Sequence, residues 1–181
     1  MQTPSKFESD ERRVLHYLKQ LEDSKEYFKE VNFIVGDSFY SKKTFVDGVK
    51  EMGKSYVGKL RSDAHFRYIY DGEQTGLKGA NTKYDGKVIY DKHKFGYVIT
   101  LEKCQKVYTK VVNRIFLKSE IRIVFLVNKY KKNRILFSTD VSLSALDILD
   151  YYSSRFKIEF LFRDSKMYTE LEDCQSADKK Y

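Results

Sequence analysis

The pattern of apolar and polar positions predicts a helix, a strand, a second helix and a second strand in the first third of the chain. Apolar residues at helical spacing predict an amphipathic helix over residues 10–30. A run rich in β-branched residues over 31–37 predicts a buried strand that ends at Asp37. Ser41 is placed to cap a helix over 41–52, and residues 55–60 predict the next strand. Because a crossover helix joins parallel strands, this β-α-β order favours a mainly parallel sheet.

Between residues 61 and 138 the pattern changes to glycine-punctuated loops and short runs with strand character. The strand-like runs cover 97–101, 106–112, 121–127 and 134–137. After them, Ser144 is followed three positions later by Asp147, which has the form of a capping box. A helix is therefore predicted to begin there and to continue through at least Phe162.

Composition sets limits on the class of protein. A length of 181 residues suggests one domain, and 41% hydrophobic residues are enough for a core. No apolar run reaches the roughly 20 residues that a membrane-spanning helix needs. Cys104 and Cys174 have no neighbouring Cys or His at metal-binding spacing, so a zinc module or disulfide scaffold is not expected. These features favour a protein of the reducing cytoplasm.

The net charge of +8 is concentrated in the middle of the chain. Residues 37–137 carry a net charge of +12, whereas residues 1–36 carry −1 and residues 138–181 carry −3. A local excess of Lys and Arg is typical of a protein that binds a polyanion, because these side chains displace counterions from phosphates. A solvated, lysine-rich face would produce the same count, so charge alone leaves both interpretations open.

The last predicted helix places four functional side chains on one face. Tyr152, Arg155, Glu159 and Lys166 fall within an arc of about 60° at 100° per residue. Cations, a phenol and a carboxylate together suit a phosphodiester site, with Glu159 on a metal and the cations on phosphates. The alternative is a solvated helix with an ordinary Arg155–Glu159 pair.

Beside that arc lies an apolar arc through which the helix is expected to dock. Its members are Leu146, Leu149, Phe156 and Phe160. Asp37 is expected at the end of a strand, where sites gather in α/β folds. It could cap the following turn, or it could share a divalent cation with Glu159, since hard oxygen ligands are what Mg²⁺ prefers.

The pattern formed by these residues resembles that of a known protein family. The spacing Tyr152-x2-Arg155-x3-Glu159-x6-Lys166 resembles the Y-R-E-K signature of DDE transposases of bacterial insertion sequences. The segment around Asp37 resembles the one around the second catalytic Asp of that group. Three further segments look like one branch of it: Leu60–Ala64, Lys83–Lys87 and Leu171–Ala177. The likeness covers roughly residues 30–178.

The resemblance implies an α/β, RNase H-like fold. In that fold a mixed sheet is flanked by helices, a β-rich basic insertion occupies residues 61–138, and a catalytic helix occupies 143–167. The implied reaction is cleavage and transfer of DNA strands at insertion-sequence ends, with Mg²⁺ as the cofactor and Mn²⁺ as an alternative ion. The resemblance implies catalytic, metal-binding roles for Asp37 and Glu159.

The resemblance also implies partners. Tyr152, Arg155 and Lys166 are expected to contact phosphates of double-stranded DNA at transposon ends, and a homodimer on that DNA is a further expectation. The protein is expected in the cytoplasm, associated with the nucleoid, with no membrane contact.

The chain departs from the family in one respect. The family has a first catalytic Asp on an opening strand, but here Asp10 and Asp23 both lie on or beside the first predicted helix. No first catalytic Asp is therefore assigned, and the chain is expected to be an N-terminally truncated copy that is inactive and poorly folded alone. Two alternatives stay open: a non-catalytic DNA-binding or regulatory remnant, and a structural protein whose charge is only solvating.

Overall fold

In a computed structural model of the chain, the structure describes residues 9–61, 64–74, 79–88, 92–128 and 132–169. Within these residues an eight-stranded sheet has helices packed on both faces. The helices are α1 (Asp10–Asp23), α2 (Lys43–Glu51) and α3 (Ala145–Thr169). The strands are β1 (Phe33–Gly36), β2 (Ser55–Leu60), β3 (Phe66–Ile69), β4 (Tyr84–Lys87), β5 (Gly96–Leu101), β6 (Gln105–Arg114), β7 (Ser119–Val127) and β8 (Arg134–Ser138). Short 3₁₀ turns cover Lys25–Phe28, Lys92–Lys94 and Glu102–Cys104.

The sheet is mixed, with the order β1-β2-β8-β7-β6-β3-β4, and β5 pairs with β6. Among the described strands only β1 and β2 pair in parallel, across the α2 crossover. All the other pairs are antiparallel, so the expectation of a mainly parallel sheet was wrong. The reason is that the chain after β2 returns mostly through hairpins, which only antiparallel strands allow. The strands of the 61–138 segment extend the sheet that β1 and β2 begin.

Two of the predicted helices start or end differently from the sequence pattern. The first helix ends at Asp23, where the Ser24 amide bonds back to the carbonyls of Gln20 and Leu21, and a 3₁₀ turn follows. Ser41 does not cap α2, because that helix begins at Lys43 without a side-chain cap.

The sheet separates two apolar clusters. The cluster under α1 and α2 contains Val14, Val46, Tyr56, Ile121 and Phe137, among others. The cluster under α3 contains Val57, Val124, Leu136, Ile148 and Tyr152, among others. Consecutive residues of one strand belong to different clusters because strand side chains alternate between the faces.

Helix α3 begins as predicted but docks through a different face. Ser144 Oγ accepts a hydrogen bond from the Asp147 amide at 3.1 Å and donates to the Asp147 carboxylate at 2.7 Å. The buried residues are Ala145, Ile148 and Tyr152, on the face of the helix that also carries Arg155 and Glu159. In the predicted docking arc, by contrast, the exposed fraction is 48% for Leu146, 36% for Phe156 and 52% for Phe160.

The predicted docking face of α3 was therefore wrong for Leu146, Phe156 and Phe160, whereas Leu149 packs against the cluster as predicted. The contacts of the helix with the sheet fall on β1, β2, β7 and β8, and the buried side chains all come from its first eight residues. Farther along, the exposed side chains include Ile158, Leu161 and Met167. No helix in the described ranges is both long enough and apolar enough to cross a membrane.

Candidate functional site

Asp37 directly follows β1, at the sheet edge where the parallel strands β1 and β2 both end. Its carboxylate accepts a hydrogen bond from the Phe39 amide at 2.8 Å, which closes a tight turn. Its backbone carbonyl lies 3.2 Å from the Tyr56 hydroxyl and 3.1 Å from the Ser41 hydroxyl, both of which donate to it. Side chain and main chain are thus held at once, and the carboxylate has a fixed place at the strand end.

The Tyr56 ring is held in a slot formed by two glycines. Gly36 and Gly58 are cross-strand partners in the β1–β2 register. A Cβ atom would lie 2.4 Å from the Tyr56 hydroxyl if added at Gly36, and 2.5 Å from the ring if added at Gly58. Burial raises the pKa of the Tyr56 phenol well above its ordinary value, so the hydroxyl stays a donor to Asp37.

Tyr152 lies in the buried part of α3, in the cluster against which Phe33 and Val35 of β1 also pack. Its ring is buried against the sheet, and burial raises the pKa of the Tyr152 phenol. The positive charges of Arg155 and Arg134 lower the pKa of Tyr152, whereas the negative charge of Asp37 raises it further. Tyr152 therefore lies within electrostatic reach of Asp37, Arg155 and Arg134.

Arg155 and Glu159 are paired with each other. Arg155 Nη1 donates to Glu159 Oε1 at 2.8 Å, and the guanidinium lies 5.6 Å from the centre of the Tyr152 ring and 4.5 Å from that of Phe156. The Arg155 Nε is buried and has no hydrogen-bond partner among the described residues. Glu159 has 57% of its side chain exposed, and Lys166 lies exposed two turns farther along α3.

Tyr152, Arg155, Glu159 and Lys166 share one face of α3 as predicted, because the helix is continuous from Ala145 to Thr169. The structure packs Tyr152 in the same apolar cluster as Val35, which lies two residues before Asp37, and it pairs Arg155 with Glu159. The predicted helix pair between Arg155 and Glu159 is therefore formed, and the predicted turn bond of Asp37 is also formed.

The carboxylates only partly fit a metal site. Their oxygens are the hard donors that Mg²⁺ prefers. Within the described ranges, however, no three His, Cys, Asp or Glu side chains come together as a metal-holding group. Asp10 contacts Arg13 and Lys42 on the α1–α2 layer, and Asp23 ends α1, so neither completes a site at Asp37. The described residues alone do not form a complete divalent-metal site.

A basic cleft of about 540 Å³ lies beside Asp37 and was not predicted. It is lined by Ser38, Lys59, Leu60, Arg61, Lys132, Asn133, Arg134 and Ile135. The signal in the sequence was the close spacing of Lys59 with Arg61 and of Lys132 with Arg134, at the end of β2 and the start of β8. Only the pairing of β2 with β8 brings the two pairs together.

Comparison with known proteins identifies the family. The family model described as "Transposase DDE domain" matches residues 5–179, nearly the whole chain. The chain belongs to the transposase DDE domain family, and its mixed sheet with flanking helices is consistent with the RNase H-like fold of DDE transposases. Proteins of this family generally use divalent metal ions and act on DNA. A search of curated proteins found no match.

Proposed function

We propose that this chain takes part in metal-dependent DNA strand cleavage and strand transfer at the ends of an insertion sequence. The observation that carries the proposal is the family match over residues 5–179. It is supported by the position of Asp37 at the strand end, next to the helix that carries Tyr152, Arg155 and Glu159. Double-stranded transposon-end DNA is the proposed partner, with a homodimer on that DNA and association with the nucleoid.

On this proposal Asp37 and Glu159 are ligands of Mg²⁺, for which Mn²⁺ can substitute. Bound there, the metal supplies charge stabilisation at a phosphodiester. Tyr152, Arg155 and Lys166 contact DNA phosphates. Arg155 pairs with one carboxylate oxygen of Glu159, which leaves the other oxygen for a metal, and the guanidinium can still donate to a phosphate through its remaining N–H groups.

Metal binding gives a test that does not depend on activity. Binding of Mn²⁺, followed by its electron paramagnetic resonance signal, is expected to weaken at least several-fold in Asp37→Asn and in Glu159→Gln, because each removes a carboxylate oxygen. Asp164→Asn is the matched control, since Asp164 lies on the same helix but outside the functional arc. Equal binding in all four proteins would contradict the assignment of Asp37 and Glu159.

The two-carboxylate arrangement favours a second candidate, a non-catalytic DNA-binding or regulatory form of the transposase. Two carboxylates hold Mg²⁺ less well than three, so the polypeptide alone is expected to nick supercoiled DNA that carries insertion-sequence ends very slowly. DNA binding that survives Glu159→Gln, with no cleavage in Mg²⁺ or Mn²⁺, would favour this candidate. Clear cleavage by the unmodified chain that is lost in Asp37→Ala would exclude it.

A further inference from the structure

The cleft beside Asp37 gathers cations from two separate parts of the chain. Lys59 and Arg61 lie at the end of β2, whereas Lys132 and Arg134 lie at the start of β8. The described lining contains no acidic side chain, and Ser38 and Asn133 add polar groups. A concave surface with this chemistry attracts an anion.

The strand ends bring like charges close together in the cleft. The antiparallel β2–β8 ladder ends at the Leu60–Ile135 pair, and Arg61 and Arg134 are the residues directly beyond that pair. Like charges that lie near each other repel. Arg61, Lys132 and Arg134 are exposed at this edge, where a bound anion would screen their repulsion.

The place of the cleft indicates which anion. Ser38, in its wall, is the residue after Asp37. The four cations therefore line a cleft that reaches the Asp37 turn. We propose that this cleft binds the sugar–phosphate backbone of the DNA strand next to the one presented at Asp37. The choice of DNA rests on the proposed function.

The salt dependence of DNA binding tests this inference. The probe is a fluorescein-labelled 30-base-pair duplex, with dissociation constants measured by anisotropy from about 50 to 200 mM NaCl. Each phosphate contact contributes a slope of about −0.9 to log K against log salt. The triple variant Arg61→Gln/Lys132→Gln/Arg134→Gln is expected to flatten the slope by about 2.7. Between 50 and 200 mM NaCl, the affinity of the wild type for DNA would then fall by a factor about 40 times larger than the affinity of the variant does.

Two control proteins make the result specific. Lys19→Gln/Lys25→Gln/Lys50→Gln removes the same charge from exposed positions on the layer opposite α3, and its slope is expected to stay near that of the wild type. Arg61→Lys/Arg134→Lys keeps the charge and is expected to keep the slope. Equal flattening by both triple variants, or none by the cleft variant, would overturn the inference.

Failure of this inference can be distinguished from failure of the proposed function. Mn²⁺ binding that depends on Asp37 and Glu159, with an unchanged salt slope in the cleft variant, would overturn the cleft alone. A flattened slope without carboxylate-dependent Mn²⁺ binding would overturn the metal assignment and leave the cleft as a DNA site. Thermal melts of every variant are needed as a control to check that the compared proteins are folded.

Discussion

At the scale of single residues, the Tyr56 hydroxyl is one of three groups that hold Asp37 in place. It donates to the Asp37 carbonyl at 3.2 Å from a fully buried ring. Tyr56→Phe removes this donor and leaves the rest of the ring in its slot between Gly36 and Gly58. The loss of one such hydrogen bond is expected to cost about 1 kcal/mol of unfolding free energy, or roughly 2–4 °C in Tm for a chain of this size.

Urea denaturation of Tyr56→Phe checks this expectation. Tyr27→Phe is the matched control, because that tyrosine is 92% exposed and its hydroxyl faces solvent, so no measurable change is expected. If both variants lost the same stability, the Asp37 contact would not be the cause. The hydrogen bond from Tyr56 to Asp37 could not be predicted from sequence, because its partners are nineteen positions apart. The role of Ser41 could not be predicted either, since its hydroxyl bonds to the carbonyls of Asp37 and of Lys59, which is eighteen positions away.

At the scale of elements, the start of α3 is determined by one local motif. Ser144 accepts from the Asp147 amide, which otherwise has no partner in the first turn of a helix. Ser144→Ala is expected to cost about 1 kcal/mol because this donor loses its acceptor. Circular dichroism during thermal unfolding measures the change.

A serine inside the same helix provides the comparison. Ser153 lies in an exposed position and donates to the Asp150 carbonyl, so Ser153→Ala is expected to be neutral or slightly stabilising, since alanine is the better helix former. Equal destabilisation by both changes would show that the cap contributes nothing. The cap was predictable from sequence because it is local, whereas the docking face of α3 depends on which strands lie beneath it.

At the scale of the whole molecule, the sheet divides the core into two clusters whose energies should be independent. Ile121 and Ile148 are both fully buried, one on each face. Ile→Val at either position is expected to cost about 0.5–1.5 kcal/mol. Because the two side chains belong to separate clusters, the double variant is expected to equal the sum within about 0.5 kcal/mol.

A pair on one face gives the contrast. Ile121 and Ile123 are alternate residues of β7 in the same cluster, so Ile121→Val/Ile123→Val is expected to deviate from additivity by about 0.5 kcal/mol or more. Chemical denaturation of the single and double variants measures both deviations. A larger deviation across the sheet than within one face would contradict the two-cluster description.

The same scale explains which parts of the molecule were predictable. Strands β5 to β8 and helix α3 are marked by periodicity within each segment, and they were found where predicted. The order in which β3, β6, β7 and β8 join the sheet depends on contacts between distant segments. The basic cleft belongs to this second class, because it exists only where the ends of β2 and β8 meet.

The position of β1 at the end of the sheet affects how readily this strand opens. Among the described strands β1 pairs only with β2, so its amides that face away from β2 have no ladder partner there. Such a strand opens locally at a lower free energy than the centre of a sheet. In hydrogen–deuterium exchange, Phe33–Gly36 should therefore exchange sooner than the central strand β7. The carboxylate of Asp37 is thus attached to one of the first parts of the sheet to fluctuate, and whatever steadies that strand also steadies the carboxylate.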